Sequence, residues 1–174
     1  MAQAAHMSHL TPALYTTLAE IVPDLHVHCV DPWCLIGSTA ALLLGAQTSA
    51  ADVDVLTSRA DAEVLMALWA SQRQPAFVPP DADRFRSHFA RFRFPGAPVE
   101  VMGALELFAD GGWQAVWPDK LVLVGVGGVA VPVPSIDDQI RLCERFGRQK
   151  DLSLKAALRS LMAPSFSVPL MPSH

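Results

Sequence analysis

Apolar residues first recur at helical spacing at Leu10, Leu14, Leu18, Ile21 and Val22, which predicts a helix over residues 8–22 that tolerates Pro12 near its start and stops at Pro23. The short apolar run Trp33-Cys34-Leu35-Ile36 reads as a buried strand. Gly37-Ser38 makes a tight turn after it, and an Ala/Leu-rich helix over 39–44 is closed by Gly45. Alternation of polar and apolar positions over 52–56 predicts a strand. A helix over 60–71 follows, with Val64, Leu65, Leu68 and Trp69 inward, and Pro75, Pro79 and Pro80 mark a loop. Residues 84–94 alternate aromatic and basic side chains as a strand or hairpin, with a phase change at 87–90 that implies a turn or bulge. Val99 to Met102 reads as a further strand, and 121–124 with 129–133 flank Gly125-Val126-Gly127-Gly128 as a hairpin. Ser135 caps the next helix, with Asp138 closing a capping box, and a last helix covers 149–162.

This order gives an α+β fold with α/β-like succession, a small mixed sheet flanked by helices, in one domain over 1–163. Residues 164–174, rich in proline, are expected to be a flexible tail. A chain of 174 residues with 51% hydrophobic and 17% charged residues buries a core unaided, which excludes wholesale disorder. Net charge of −4 and a pI near 5.8 argue against a protein that coats nucleic acid. Mean hydropathy is +0.29, yet the longest uncharged apolar run, 121–134, falls short of the ~20 residues a spanning helix needs. With no secretion signal at the N-terminus and only three cysteines, Cys29, Cys34 and Cys143, the expected location is the cytoplasm, with reduced thiols and no membrane partner.

The polar residues that need explaining are acids. Asp52 and Asp54 lie two apart on a strand, so both side chains share a face while Val53 and Val55 turn into the core. Two carboxylates so close repel unless a cation sits between them, and Mg²⁺ favours carboxylates together with substrate phosphates. Glu100, between Val99 and Val101, is a third acid in an apolar strand and converges with the pair if the two strands are neighbours. Gly37-Ser38, between a strand and a helix, offers backbone N–H groups and a hydroxyl to phosphate.

The stretch from Leu35-Ile36-Gly37-Ser38 through Asp52-Val53-Asp54-Val55-Leu56, with a third acid on a later strand, resembles the nucleotidyltransferase (polymerase β-like) superfamily. The closing run through Gly147-Arg148-Gln149-Lys150-Asp151-Leu152 is similar to the small bacterial branch that includes AbiEii-type toxins, and the likeness spans roughly residues 30–160. It departs from the pattern in carrying Glu rather than the commoner Asp as third acid. The resemblance implies a nucleotidyltransferase fold in which Asp52, Asp54 and Glu100 hold Mg²⁺ or Mn²⁺ and serve catalysis. Gly37, Ser38, Arg148 and Lys150 would bind the NTP. The implied activity moves a nucleoside monophosphate to a hydroxyl on a protein, a tRNA or a small molecule. The alternative is a non-catalytic binding or regulatory module of a two-protein bacterial (toxin–antitoxin) system, with a cognate partner protein.

Each residue also has a plainer reading. Asp52 and Asp54 suit a solvated strand edge, and Glu100 suits a strand glutamate paired with an arginine of the 84–93 run. Ser38 suits an ordinary N-cap, and Lys150, one of three lysines, a surface ion pair. Asp81-Ala82-Asp83 repeats the acid spacing but follows two prolines and reads as a solvated loop. Arg84, Arg86, His88, Arg91 and Arg93 favour triphosphate contact by one or two side chains over extended RNA binding. The 125–128 glycines lack a nucleotide-loop signature, Cys29 and Cys34 with His26 and His28 lack a second ligand pair for zinc, and the four tryptophans read as core or rim.

Overall fold

The computed structural model describes residues 3–4 and 10–163. The expected tail at 164–174 lies outside the described residues, as do residues 8 and 9 of the first expected helix. The elements are β1 (Gln3–Ala4), α1 (Pro12–His28), β2 (Cys34–Ile36), α2 (Gly37–Leu43), β3 (Val53–Thr57), α3 (Arg59–Leu68) with a 3₁₀ turn at Ala70–Gln72, β4 (Phe85–Phe92), β5 (Val99–Ala109), β6 (Gly112–Ala115), β7 (Leu121–Val126), β8 (Val129–Pro134), α4 (Ile136–Phe146) and α5 (Gln149–Met162).

A mixed sheet runs β2-β3-β5-β4, with β6 paired to β5. β3 and β5 are parallel and their other pairings antiparallel. A smaller sheet runs β1-β7-β8, and Gly127 and Gly128 supply the two positive φ angles of its hairpin turn (57° and 82°). One face of the large sheet carries Val53, Val55, Val99, Val101 and Phe92 against Leu14, Leu18, Ile21 and Leu25 of α1 and Leu65 of α3, with Val124, Val126, Val131 and Val133 of the small sheet joining that core. The other face carries Ile36, Leu56, Leu105 and Leu107 against Leu142 and Phe146 of α4.

Helix α1 does not stop at Pro23. Thr11 caps its start, accepting from the Leu14 N–H at 3.2 Å, and the helix runs through the proline to His28. The buried residues Ile21, Val22 and Leu25 straddle the proline, so packing outweighs one missing hydrogen bond. The corner before β5 locks onto this helix: Thr17 Oγ1 donates to the Ala97 carbonyl at 3.1 Å and accepts from the Ala97 N–H at 2.7 Å. A Cβ on Gly96 would lie 2.0 Å from the Ala13 carbonyl oxygen.

In α3 the inward stripe is Ala62, Leu65, Met66 and Trp69, which leaves Val64 and Leu68 exposed rather than inward. The phase break expected in β4 is real but its extra residue is on β5. Between the pairs His88↔Gly103 and Arg86↔Glu106, β5 has one residue more, and Ala104 takes φ 50°. Ser135 caps α4 by accepting from the Asp138 N–H, but Asp138 does not complete the box. Its Oδ2 accepts from the Lys120 N–H at 2.5 Å, while the Ser135 N–H goes to the Lys120 carbonyl. Among the described residues, no helix is long and apolar enough to cross a membrane.

Candidate active site

Strand register assembles the site. Ile36 of β2 faces Asp54 of β3, Asp54 faces Glu100 of β5, and Glu100 faces Arg91 of β4. Directly paired residues on neighbouring strands point to the same side of a sheet. Asp54, Glu100 and Arg91 therefore stand in one row across three strands. Asp52, two residues before Asp54, joins them from the entry to β3. Its position is fixed by Thr39 of α2, whose hydroxyl donates to the Asp52 carbonyl at 2.7 Å, and by the Val53 N–H, which donates to the Pro98 carbonyl at 2.9 Å.

One carboxylate oxygen from each of Asp52, Asp54 and Glu100 lies within 4.8 Å of the other two. All three side chains are half-buried. Desolvation, followed by the charges of Asp52 and Glu100, pushes the Asp54 carboxyl well above the usual carboxylate range, against the opposing pull of Lys150. Three acids crowded into one desolvated spot, short of positive charge to balance them, are the donor set a hard divalent cation takes. Among the described residues no other group of three or more acids, histidines or cysteines is so arranged, and the cysteine–histidine set near residue 29 does not form one.

Arg91 supplies part of the missing charge. Its Nη1 bonds Glu100 Oε1 and lies 3.5 Å from Asp52 Oδ2, and its guanidinium stacks 4.4 Å over the Phe77 ring. Glu100 thus meets both expectations at once, converging with the aspartates and pairing with an arginine of the basic run. The other members of that run divide. Phe92 and Phe94 are core, Arg84 Nη2 donates to the Phe146 carbonyl at 2.7 Å, Arg86 pairs with Glu106 at 2.5 Å, and His88 lies 3.7 Å from Glu63.

Gly37 belongs to the helix rather than to a turn before it. Its φ is 70°, and a Cβ there would lie 2.8 Å from Asp54 Oδ2, so only glycine lets the backbone approach the acid. Ser38 is accordingly the second helical residue and not an N-cap. The N-cap position falls to Ile36, with no side-chain bond. The helix ends as expected at Gly45, whose N–H bonds Leu42 O while the Ala46 N–H bonds Ala41 O.

From the C-terminal side, α5 brings Arg148 and Lys150 to the cavity wall. Arg148 caps the helix and forks onto Asp151, with Nε to Oδ2 at 2.7 Å and Nη2 to Oδ1 at 3.1 Å, and lies over the Phe85 ring. Lys150 is exposed and close enough to act on Asp54. Asp81 and Asp83 lie in an exposed loop, as expected, with Asp81 Oδ2 at 3.9 Å from Arg148 Nη1. A cavity of about 340 Å³ opens from Asp54, Glu100 and Lys150 between the sheet and α4, roofed by Pro79, Pro80 and Ala82. In the sequence Thr39 has no site role, and Arg91 is named only as one of the basic residues at 84–93. A threonine after Gly-Ser and an arginine among five basic residues carry no distinguishing local pattern.

No protein-family profile and no curated protein sequence matches the chain. Solved structures do. A protein of Thermotoga maritima assigned as a nucleotidyltransferase superposes over 90% of this chain and 98% of its own, with TM-score 0.69 and 21% identity. The lincosamide antibiotic adenylyltransferase LnuA covers 88% of this chain and 99% of its own at TM-score 0.56 and 12% identity. The antibiotic-resistance factor ANT(2″)-Ia covers 86% and 84% at TM-score 0.54 and 11% identity. The chain therefore has the mixed α+β fold of these nucleotidyltransferases.

Proposed function

We propose that the protein transfers a nucleoside monophosphate from an NTP to a hydroxyl group of an acceptor. The observation that carries this reading is the trio of carboxylate oxygens from Asp52, Asp54 and Glu100 within 4.8 Å, at the mouth of a cavity, in a fold shared with nucleotidyltransferases. Asp52, Asp54 and Glu100 would hold Mg²⁺ or Mn²⁺, and the bound cation supplies neutralisation of phosphate charge. The Gly37-Ser38 backbone and hydroxyl take the triphosphate from one side and Lys150, as a mobile point charge, from the other. Arg148 contributes Nη1, held only loosely by the exposed Asp81 at 3.9 Å, and fixes the helix that presents Lys150. Glu100 orients the acceptor hydroxyl and receives its proton. The hydroxyl oxygen bonds to the α-phosphorus, the bond from that phosphorus to the β-phosphate oxygen breaks, and pyrophosphate leaves. Solution in the cytoplasm and kinship with the AbiEii-type branch belong to the same reading.

One observation favours a second reading, a non-catalytic module acting with a cognate partner protein. Arg91 already neutralises two of the three acids without any metal. Calorimetric titration with Mn²⁺ and each NTP separates the two, together with transfer of label from α-³²P-NTP to proteins, RNA and small molecules. Glu100→Gln should lower turnover by ~10²-fold or more with NTP affinity nearly unchanged. Lys150→Ala should chiefly weaken NTP binding, by roughly 1.5–3 kcal/mol. Absence of both metal-dependent NTP binding and label transfer in the wild type leaves the module reading.

A further inference from the structure

The cavity beside the acids is chemically two-sided. Its apolar chamber is walled by Ile36, Phe85, Phe89, Met102, Leu105 and Phe146, and the whole cavity's volume of about 340 Å³ is at the small end for ligand pockets (~300–1,000 Å³). The charged groups on its wall are mostly committed. Asp151 is forked by Arg148, and Arg86 is paired with Glu106. Ser87 is the uncharged polar side chain on the wall, and its hydroxyl has no hydrogen-bond partner among the described residues. Beyond Asp54 and Glu100 at the mouth, no carboxylate is free to receive a cation, and the cations Arg86, Arg148 and Lys150 line the wall. Neither Gly37 nor Ser38 lines this chamber. A triphosphate held between them and the Arg148 and Lys150 part of the wall leaves the apolar part, Phe85, Phe89, Met102 and Leu105, uncovered.

We infer that the acceptor is a small hydroxyl compound with a flat apolar body, neutral or anionic, seated in this chamber with its hydroxyl at Glu100; the inference rests on the transferase reading above. The phenylalanines and Met102 supply apolar and sulfur contact to a ring, and the unpaired Ser87 hydroxyl offers one orienting hydrogen bond. An amino-rich polycation is excluded on the same grounds. Its ammonium groups would leave water for a cavity whose carboxylates are all engaged, Asp54 and Glu100 by the metal in this reading and Asp151 by Arg148, a desolvation that nothing there offsets.

Direct binding tests this without requiring turnover. Probes are 2-naphthaleneethanol (neutral), 6-hydroxy-2-naphthoate (anionic), tobramycin (polycationic) and adenosine, each titrated by calorimetry or naphthyl fluorescence, alongside Mn²⁺·ATP. The two naphthyl probes should bind and tobramycin should not. Met102→Trp, which fills the chamber, should weaken the naphthyl probes at least tenfold with Mn²⁺ affinity unchanged. Ala82→Trp does the same from the exposed loop, where it leaves the core packing alone, so a folding failure of the first variant does not decide the matter. The inference is overturned if tobramycin binds in preference to the naphthyl probes, if neither variant weakens them, or if adenosine displaces them, which would make the chamber a nucleobase site. Naphthyl binding that responds to both variants in a protein that binds no Mn²⁺·ATP would retain the chamber as a ring-binding site while removing the transferase reading.

Discussion

The charge balance of the site turns on single side chains. Asp54 sits against Asp52 and Glu100, with Lys150 as its compensating cation. Replacing both aspartates by asparagine removes that repulsion. In EDTA, Asp52→Asn with Asp54→Asn should melt higher than wild type by ~2–4 °C, the response of a chain this size to ~1 kcal/mol. The same variant should lose Mn²⁺ binding. Scanning calorimetry and Mn²⁺ titration check both, and unchanged Mn²⁺ affinity would remove the acids from the metal site. Arg91 works in the opposite sense, as a resident counter-ion to Glu100 and Asp52. Arg91→Met leaves both acids uncompensated, so metal-free stability should fall by about 1–2 kcal/mol in urea melts. With the competing cation gone, Mn²⁺ affinity should rise by about tenfold. An affinity that drops instead would make Arg91 a support of the cation site and not its rival.

At the scale of elements, α2 is set against β3 so closely that its first residue touches the acid. Gly37→Ala would force a left-handed residue to carry a Cβ 2.8 Å from Asp54 Oδ2. A cost of ~1–2 kcal/mol is expected from the backbone alone. Displacement of Asp54 should lower Mn²⁺ affinity as well, measured on protein that still melts cooperatively. Period-two alternation made Asp52 and Asp54 legible in the sequence as same-face acids, and Glu100 as a lone acid in an apolar strand that joins them if the strands are neighbours. What no local pattern carried is register: that β3 and β5 are parallel neighbours with Asp54 opposite Glu100 is decided by tertiary pairing. The extension of β5 past Met102 was hidden for a similar reason. Gly103 reads as a break, yet it is required because a Cβ there would lie 2.6 Å from Ala62 Cβ of α3. The β6 strand, which opens on Gly112 just after the Asp110-Gly111 turn, was missed with it. The expected helix at 149–162 is present with those bounds, and in the structure Arg148 and Asp151 cap its start, whereas the passage of α1 through Pro23 depends on burial that sequence spacing does not weigh.

The whole molecule joins two bodies of packing at the site. The acids stand on the sheet, whose core lies against α1 and α3, while Lys150 arrives on α5, held by Leu154 and Leu158 against Cys143 of α4 and Ala41 of α2. Leu158 is fully buried. Leu158→Ala should cost ~2–5 kcal/mol in urea unfolding. Under conditions where the variant remains folded, it should weaken NTP binding through loosened α5 while Mn²⁺ affinity of the sheet-borne acids holds. Equal loss of both would mean that α5 shapes the acid cluster directly.

The clasp between Thr17 and Ala97 also sets a schedule for synthesis. The two residues are 80 positions apart, and α1 presents Leu14, Leu18, Ile21 and Leu25 to strands made long after it. At about 5–20 residues per second, a ribosome needs roughly 4–16 s to bring Ala97 into being after Thr17. Throughout that interval the greasy side of the first helix is covered only in part, by Val53, Val55 and Leu65, while Val99, Val101 and the small-sheet valines are still missing, so nascent chains whose residue 97 has not left the ribosome should be captured by general nascent-chain chaperones, and those with residue 133 outside the ribosome should be released.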